Sequence, residues 1–259
     1  MTSPATGYFR PGHSWLHRRN PVTKLLAVAW VLLAAFLLPP LTLAGLGVLV
    51  LVVAAASGLV RPLLRSLRIP ALLIGSIVLV NALFFPGAEK VIAGIGPIAL
   101  TEEGLTFGLV SAGRLLVAFM VLILFLFTTL ADDLLESLVA RGASHRIAFV
   151  ILSAVQMVPR LQARAGAILE AQQARGLAVK GSLATRMRAL FPLVAPILLG
   201  SLIDVRERTF ALEARAFGAL PNRTAYRVVP DPAVDRWLRV LLMLAMLATI
   251  WLAVTGFGR

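Results

Sequence analysis

Leu41–Val60 runs for 20 residues without a charged side chain, and four further stretches are nearly as apolar. Nothing else in the sequence constrains the fold as much. A helix of roughly 20 apolar residues covers the ~30 Å hydrocarbon layer of a bilayer, where each backbone N–H and C=O must be satisfied within the protein. The first stretch is Val22–Leu38, stopped by Pro39-Pro40, and Leu41–Val60 follows it, stopped by Arg61-Pro62. The third is Ala71–Phe85, stopped by Pro86-Gly87; it reaches back to about Leu67 if Arg68 snorkels to the interface. The fourth lies within Gly104–Leu130 and the last is Trp237–Phe257. The pattern predicts an all-α integral membrane protein of about five transmembrane helices. Charged residues make up 14% of the chain, against about a quarter in a soluble domain. The first run is longer than a signal-peptide core and lacks a convincing cleavage site, so it reads as a retained span.

The net charge of +13 has a membrane explanation rather than a nucleic-acid one, because basic residues hold cytoplasmic loops at the membrane surface. The leader carries Arg10, Arg18, Arg19 and Lys24, and the loop after the second stretch carries Arg61, Arg65 and Arg68. The turn at Pro39-Pro40 has no charge, and the loop from Pro86 to Gly104 sets Lys90 against Glu89, Glu102 and Glu103. The alternation predicts a cytoplasmic N-terminus. It divides the chain into residues 1–131 (leader and four spans), 132–236 (a cytoplasmic or interfacial region) and 237–259 (a final span). Arg114 is expected to snorkel to the outer interface, with the fourth span starting after it. Asn81 is expected to bond a neighbouring helix, and Gly45 and Gly47 to permit close packing.

The middle region has its own helical pattern. Residues 132–140 form a short amphipathic segment with Asp132 or Asp133 as a cap. Apolar residues from Ile147 to Leu169 recur at three and four, apart from one adjacent pair, and Pro159 is expected to kink that helix. A second helix is predicted over Leu183–Phe217. Its apolar middle, 189–203, holds Pro192 and Pro196 and is flanked by Arg186 and Arg188 on one side and Arg206 and Arg208 on the other. Crossing would strand one basic flank outside, so both flanks are assigned to the cytoplasm.

Each long helix ends alike. Glu170-Ala-Gln-Gln-Ala-Arg-Gly-Leu177 closes the first and Ala211-Leu-Glu-Ala-Arg-Ala-Phe-Gly218 the second, with the arginines forty positions apart. A single arginine at a helix C-terminus is explained by the dipole and the free carbonyls. Two copies point further: a planar guanidinium flanked by small residues can enter a narrow acidic groove and hold carboxylates through paired hydrogen bonds.

With these signatures the sequence resembles the transmembrane (T) component of energy-coupling factor transporters, including the related cobalt-transport subunits. That family carries two Ala-Arg-Gly signatures on cytoplasmic coupling helices. Ala174-Arg175-Gly176 matches the first, and Ala214-Arg215-Ala216 matches the second with Ala for Gly. Asn20-Pro21-Val22-Thr23-Lys24-Leu25 resembles its Asp-Pro-x-x-Lys-Leu entry to the first span, and Arg188-Ala-Leu-Phe-Pro192 with Pro196 its basic, proline-containing stretch. The resemblance implies a non-catalytic, multi-pass subunit of a prokaryotic cell membrane, part of an importer for a vitamin or transition-metal ion. Its partners would be two ABC-type ATPases, which bind the ATP and Mg2+, and a small membrane subunit that binds the substrate. Arg175, Arg215, Ala174, Gly176, Ala214, Ala216, Glu170 and Glu213 would dock the ATPases. Leu161, Ile168, Leu190, Val194 and Leu198 would face the substrate-binding subunit.

Other chemistries find less support. There is no cysteine, hence no thiol catalysis, disulfide or thiolate metal site. His13 and His17 have i,i+4 spacing, but Pro11-Gly12 precedes them and no acid is close, so no metal site is assigned. No Gly-x-x-x-x-Gly-Lys-Ser/Thr phosphate loop occurs, so no cofactor is expected in this chain. Asp132-Asp133 beside Glu136 could hold Mg2+ in a membrane-embedded enzyme, but one acidic helix start is more often a cap. A conventional ABC importer permease is the alternative: Glu170-Ala171, Gly176 and Phe191-Pro192 recur from its coupling loop, at too wide a spacing.

Overall fold

The computed structural model describes residues 9–12, 14–86, 91–95, 98–177, 183–217 and 229–256, with backbone alone at 91–95, 98–99 and 183–191. It divides into two compact units, Met1–Ser137 with Val229–Arg259, and Leu138–Val228.

In the first unit α1 (Pro21–Leu37) begins where Asn20 caps it: the Asn20 side chain accepts the Val22 N–H, and Pro21 occupies the first helical position, where a missing N–H costs nothing. Pro39 and Pro40 then force the turn into α2 (Leu41–Ala56). α2 stops four residues short of the expected Val60. Gly58 takes φ +70°, and Leu59 N–H and Gly58 N–H bond back to Ala54 and Ala55, closing the helix end. A short helix that periodicity does not reveal, α3 (Val60–Ser66), follows, with Pro62 tolerated in its first turn. At Leu67 the chain bends by 54° into α4 (Arg68–Phe84).

Next come two strands, the only ones among the described residues, where the sequence reads as a plain loop. β1 (Val91–Ile95) and β2 (Ile98–Thr101) pair antiparallel from Ile95↔Ile98 to Val91↔Thr101, with a bulge between Val91 and Ala93. Thr101 caps the 27-residue α5 (Glu102–Thr128) by accepting the Gly104 N–H, and Glu102 and Glu103 sit favourably at the positive end of its dipole. The unit closes with α9 (Ala233–Val254), after the second unit has intervened.

A single apolar core joins α1, α2, α3 and α5. Val28, Val31 and Ala35 meet Leu43, Leu46 and Val50, together with Val117, Met120, Val121 and Leu124, and Leu63 is fully enclosed. The spacings are those of one helical face. α4 and α5 approach closely: a Cβ on Gly108 would lie 3.1 Å from the Val78 Cα and one on Gly104 would overlap the Asn81 carbonyl oxygen. Gly45 and Gly47 do not serve this role, since Gly45 has open space beside it and Gly47 meets only a Val117 methyl at 3.8 Å. Asn81 bonds the Ile77 carbonyl of its own helix rather than a neighbour. Arg114 is the thirteenth residue of α5, so the helix begins well before it; the Arg114 Nε is enclosed without a hydrogen-bond partner.

By length and composition α5 and α9 can each cross a membrane, and α3 with α4 can do so as one bent span. α1 and α2 are apolar but have 17 and 16 residues, about 25 Å of helix. Of the five expected spans, two therefore coincide with helices long enough to cross and one with the bent pair, while α1 and α2 fall short of that length. The helix Leu183–Ala214 is not among the helices that qualify.

α6 (Ala131–Val139) carries Asp132 and Asp133 in its first turn and leads toward the second unit. That unit consists of α7 (His145–Ala174) and α8 (Leu183–Ala214). Pro159 lies inside α7, and Pro192 and Pro196 inside α8, without ending either helix.

Candidate functional site

The two signatures fold into the same small structure. α7 ends at Ala174; Arg175 is the cap residue and Gly176 takes φ +92°. Leu177 N–H bonds the Gln172 carbonyl at 3.0 Å and Gly176 N–H bonds that of Gln173 at 2.9 Å. At the end of α8, Ala216 takes φ +52°, Phe217 N–H bonds the Leu212 carbonyl at 2.9 Å, and Ala216 N–H bonds that of Glu213 at 2.9 Å. Both are Schellman caps with arginine at the cap position and a left-handed residue after it. Glycine adopts that conformation freely, whereas alanine does so at about 1 kcal/mol. The small residues that the sequence pairs with each arginine are therefore the ones the cap geometry selects.

The glutamates do not share this equivalence. Glu170 lies five residues before its arginine and Glu213 two before, so they fall on different faces; both are exposed. The permease-like elements also separate: Glu170-Ala171 is inside α7, Gly176 in its cap, and Phe191-Pro192 inside α8.

A third copy escaped the sequence reading. Ala140-Arg141-Gly142 ends α6 with Gly142 at φ +99°, Ala143 N–H bonded to Leu138 and Gly142 N–H to Val139. Its motif matches better than Ala214-Arg215-Ala216, so the tripeptide alone does not identify the site. What separates the copies is occupancy. Arg141 is engaged within the chain. Arg175 and Arg215 are exposed, and neither side chain makes a hydrogen bond, ion pair or ring contact with a described residue.

α7 and α8 run antiparallel. His145 and Phe149, at the start of α7, pack on Phe217 at the end of α8, with ring centroids 6.0 and 4.7 Å away. Midway, Arg164 pairs with Asp204 at 2.9 Å. The Asp204 carboxylate holds the Arg164 guanidinium charged by hydrogen bond and charge, raising its pKa above the usual value. Arg175 and Arg215 each lie eleven residues beyond this ion pair along their own helix. At 1.5 Å per residue in opposite directions, the two guanidinium-bearing ends are about 30 Å apart. Phe217, the apolar residue after the second signature, fixes one of those ends against α7.

The apolar faces of the pair remain uncovered. α7 contains no buried residue, and Val194 and Leu198 are 51% and 58% exposed. Leu161 and Ile168 are partly covered, and the Leu190 side chain lies outside the described residues. Two helices cannot bury enough apolar surface to stand alone in water, so such a face calls for a covering layer.

Elsewhere, the residues that head α1 meet one another in a polar cluster described below. His17 is not in a helix; its ring nitrogens face Ser14 Oγ at 2.6 Å and the Arg10 carbonyl at 3.0 Å, and His13 lies outside the described residues. Among the described residues no group of three His, Cys, Asp or Glu converges for a metal.

Known proteins resemble this chain over most of its length. An energy-coupling factor transporter transmembrane protein of Heliobacterium modesticaldum is 33% identical over 233 residues, 85% of this chain and 86% of that protein. One from Listeria innocua is 28% identical over 97% of this chain and 99% of its own length. A putative ABC transporter ATP-binding protein of Bifidobacterium longum is 29% identical over 91% of this chain, a match that takes up 31% of that larger protein. The model of the cobalt transport protein family, CbiQ, matches residues 12–226. The chain therefore belongs to the CbiQ family of EcfT-like transmembrane transport components.

Proposed function

We propose that this chain is the coupling subunit of an energy-coupling factor importer for a vitamin or transition-metal ion. It spans the cytoplasmic membrane five times with its N-terminus inside, and it carries ATP-driven motion from two ATPases to a separate substrate-binding membrane subunit. The observation that carries the reading is the pair of identically capped, unengaged arginines at opposite ends of one antiparallel helix pair. Ends about 30 Å apart suit two separate grooves better than one. For both to face the cytoplasm, the pair must lie along the membrane surface rather than cross it. The likeness to an ATP-binding protein that contains such a segment supports the ATPase partnership. The uncovered apolar face through Val194 and Leu198 is where the substrate-binding subunit is expected to seat. ATP hydrolysis belongs to the partners.

Copurification tests this. The wild-type chain should retain two ATPase subunits. Arg175→Ala with Arg215→Ala should weaken retention by about 10–100-fold per site, the worth of a charge-assisted hydrogen bond, while membrane insertion is unchanged. Full retention and transport by the double variant would refute the role of the arginines.

A further inference from the structure

Chain passes between the two compact units twice, leaving the first within the last turn of α6 and returning before α9. Both passages are tied to the stretch Arg19–Lys24. Lys24, buried at the start of α1, donates from Nζ to the carbonyl of Thr128, the last residue of α5, at 2.7 Å. An ammonium there neutralises the negative end of the α5 dipole, three residues before α6, the helix in which the chain leaves the first unit. Asp235, in the first turn of α9, is fully buried. Its carboxylate accepts the backbone N–H of Asn20 at 3.0 Å and the Arg19 guanidinium at 3.3 Å. Asn20 also donates from Nδ2 to the Pro230 carbonyl at 3.2 Å, two residues into the returning segment. Arg239 grips Asp231 through two 2.9 Å hydrogen bonds and reaches Thr23 Oγ1 at 3.5 Å. Arg19 in turn stacks over Trp15, 4.6 Å from its ring centroid.

A buried carboxylate and a buried ammonium are costly unless fully partnered, and apolar packing could hold three helix ends together without them. What the polar groups add is direction: they fix the outgoing and the returning backbone to the same six residues. We infer that Arg19–Lys24 with Asp235 is the common anchor of both passages, and that Lys24, Asn20 and Asp235 are positioning residues for coupling. With both crossing segments held at one anchor, displacement of either reaches the packed ends of α1, α5 and α9 directly. With either released, the displacement is absorbed by local bending. This role rests on the coupling function proposed above.

The test uses paired nitroxide labels, which the absence of native cysteine makes unambiguous. Ala131→Cys with Val234→Cys reports the distance between the passages; Ala167→Cys with Ala248→Cys reports movement between units. Both pairs are measured by double electron–electron resonance in lipid nanodiscs, with the chain bound to its copurifying ATPases, in ADP and in a non-hydrolysable ATP analogue. The wild type should give one narrow passage distance in both nucleotides and a nucleotide-dependent shift in the second pair. In Asp235→Asn with Lys24→Met the passage distribution should broaden and the shift should shrink about threefold, while ATPase binding and hydrolysis persist. Arg239→Gln, whose partner Asp231 is at the surface, preserves the buried charges and should give a smaller change of the same sign. Narrow passage distances with a full shift in both variants would overturn the inference, as would lost assembly with unchanged distances in the complexes that survive. A wild-type chain that binds no ATPase would sink the coupling reading instead, and with it the assignment of these residues to coupling.

Discussion

The two helix-end caps are the same structure built with different residues, which allows a perturbation of opposite sign at each. Gly176 is at φ +92° and Ala216 at φ +52°. For a residue with a Cβ, the left-handed region costs about 1–2 kcal/mol. A φ of +52° is close to the centre of that region near +57°, so Ala216 sits at the lower end of the range; +92° lies further out, so Gly176→Ala should fall toward the upper end. No heavy atom lies within 4 Å of a Cβ built on Gly176, so the penalty is a backbone one with no clash added. One to two kcal/mol is about a 5- to 30-fold change in an opening equilibrium. Amide exchange at Gly176 and Leu177, the donors that close the α7 cap, should accelerate by about that factor in Gly176→Ala. Ala216→Gly should slow exchange at positions 216 and 217. The greater freedom of glycine in the frayed end offsets part of the gain, leaving about threefold. Hydrogen exchange read by mass spectrometry on the nanodisc-bound chain resolves both segments. If the two substitutions shift exchange in the same direction, or if neither shifts it, the cap geometry does not govern these ends and the reason for the small residue after each arginine is wrong.

Three further outcomes follow from the packing and from one ion pair. Gly104→Ala should destabilise the α4–α5 pair by about 1–3 kcal/mol, because its Cβ would overlap the Asn81 backbone carbonyl and crowd Thr101 Oγ1 and Phe85 Cβ. Gly45→Ala, with open space beside it, should leave thermal unfolding in detergent unchanged or slightly improved. The Arg164–Asp204 pair is about one-third exposed on each side, so a double-mutant cycle with alanine at both positions should return only a weak coupling that fades in high salt.

Long uncharged runs bounded by prolines determined the helical, membrane-embedded class, because a bilayer admits few other ways to satisfy an apolar backbone. Helical periodicity likewise located α7 and α8 to within three residues at each end. The arginine signatures were legible because a Schellman cap demands a small residue after the cap position, a requirement written in local sequence. That same locality is why the tripeptide could not discriminate: Ala140-Arg141-Gly142 meets it equally, and only the surroundings reveal that Arg141 is engaged while Arg175 and Arg215 are not. The antiparallel course of α7 and α8, which sends the two arginines to opposite ends, depends on contacts such as Phe149 with Phe217 and Arg164 with Asp204, 68 and 40 positions apart. Asp235 reads in sequence as one acidic residue near a basic helix start. Only the fold encloses it against Asn20 and Arg19, more than 200 positions away. Backbone preference and hydropathy act over a few neighbouring residues and so can be read along the chain. The partners of a buried charge are chosen by which segments the packed helices bring together, and that is decided in three dimensions.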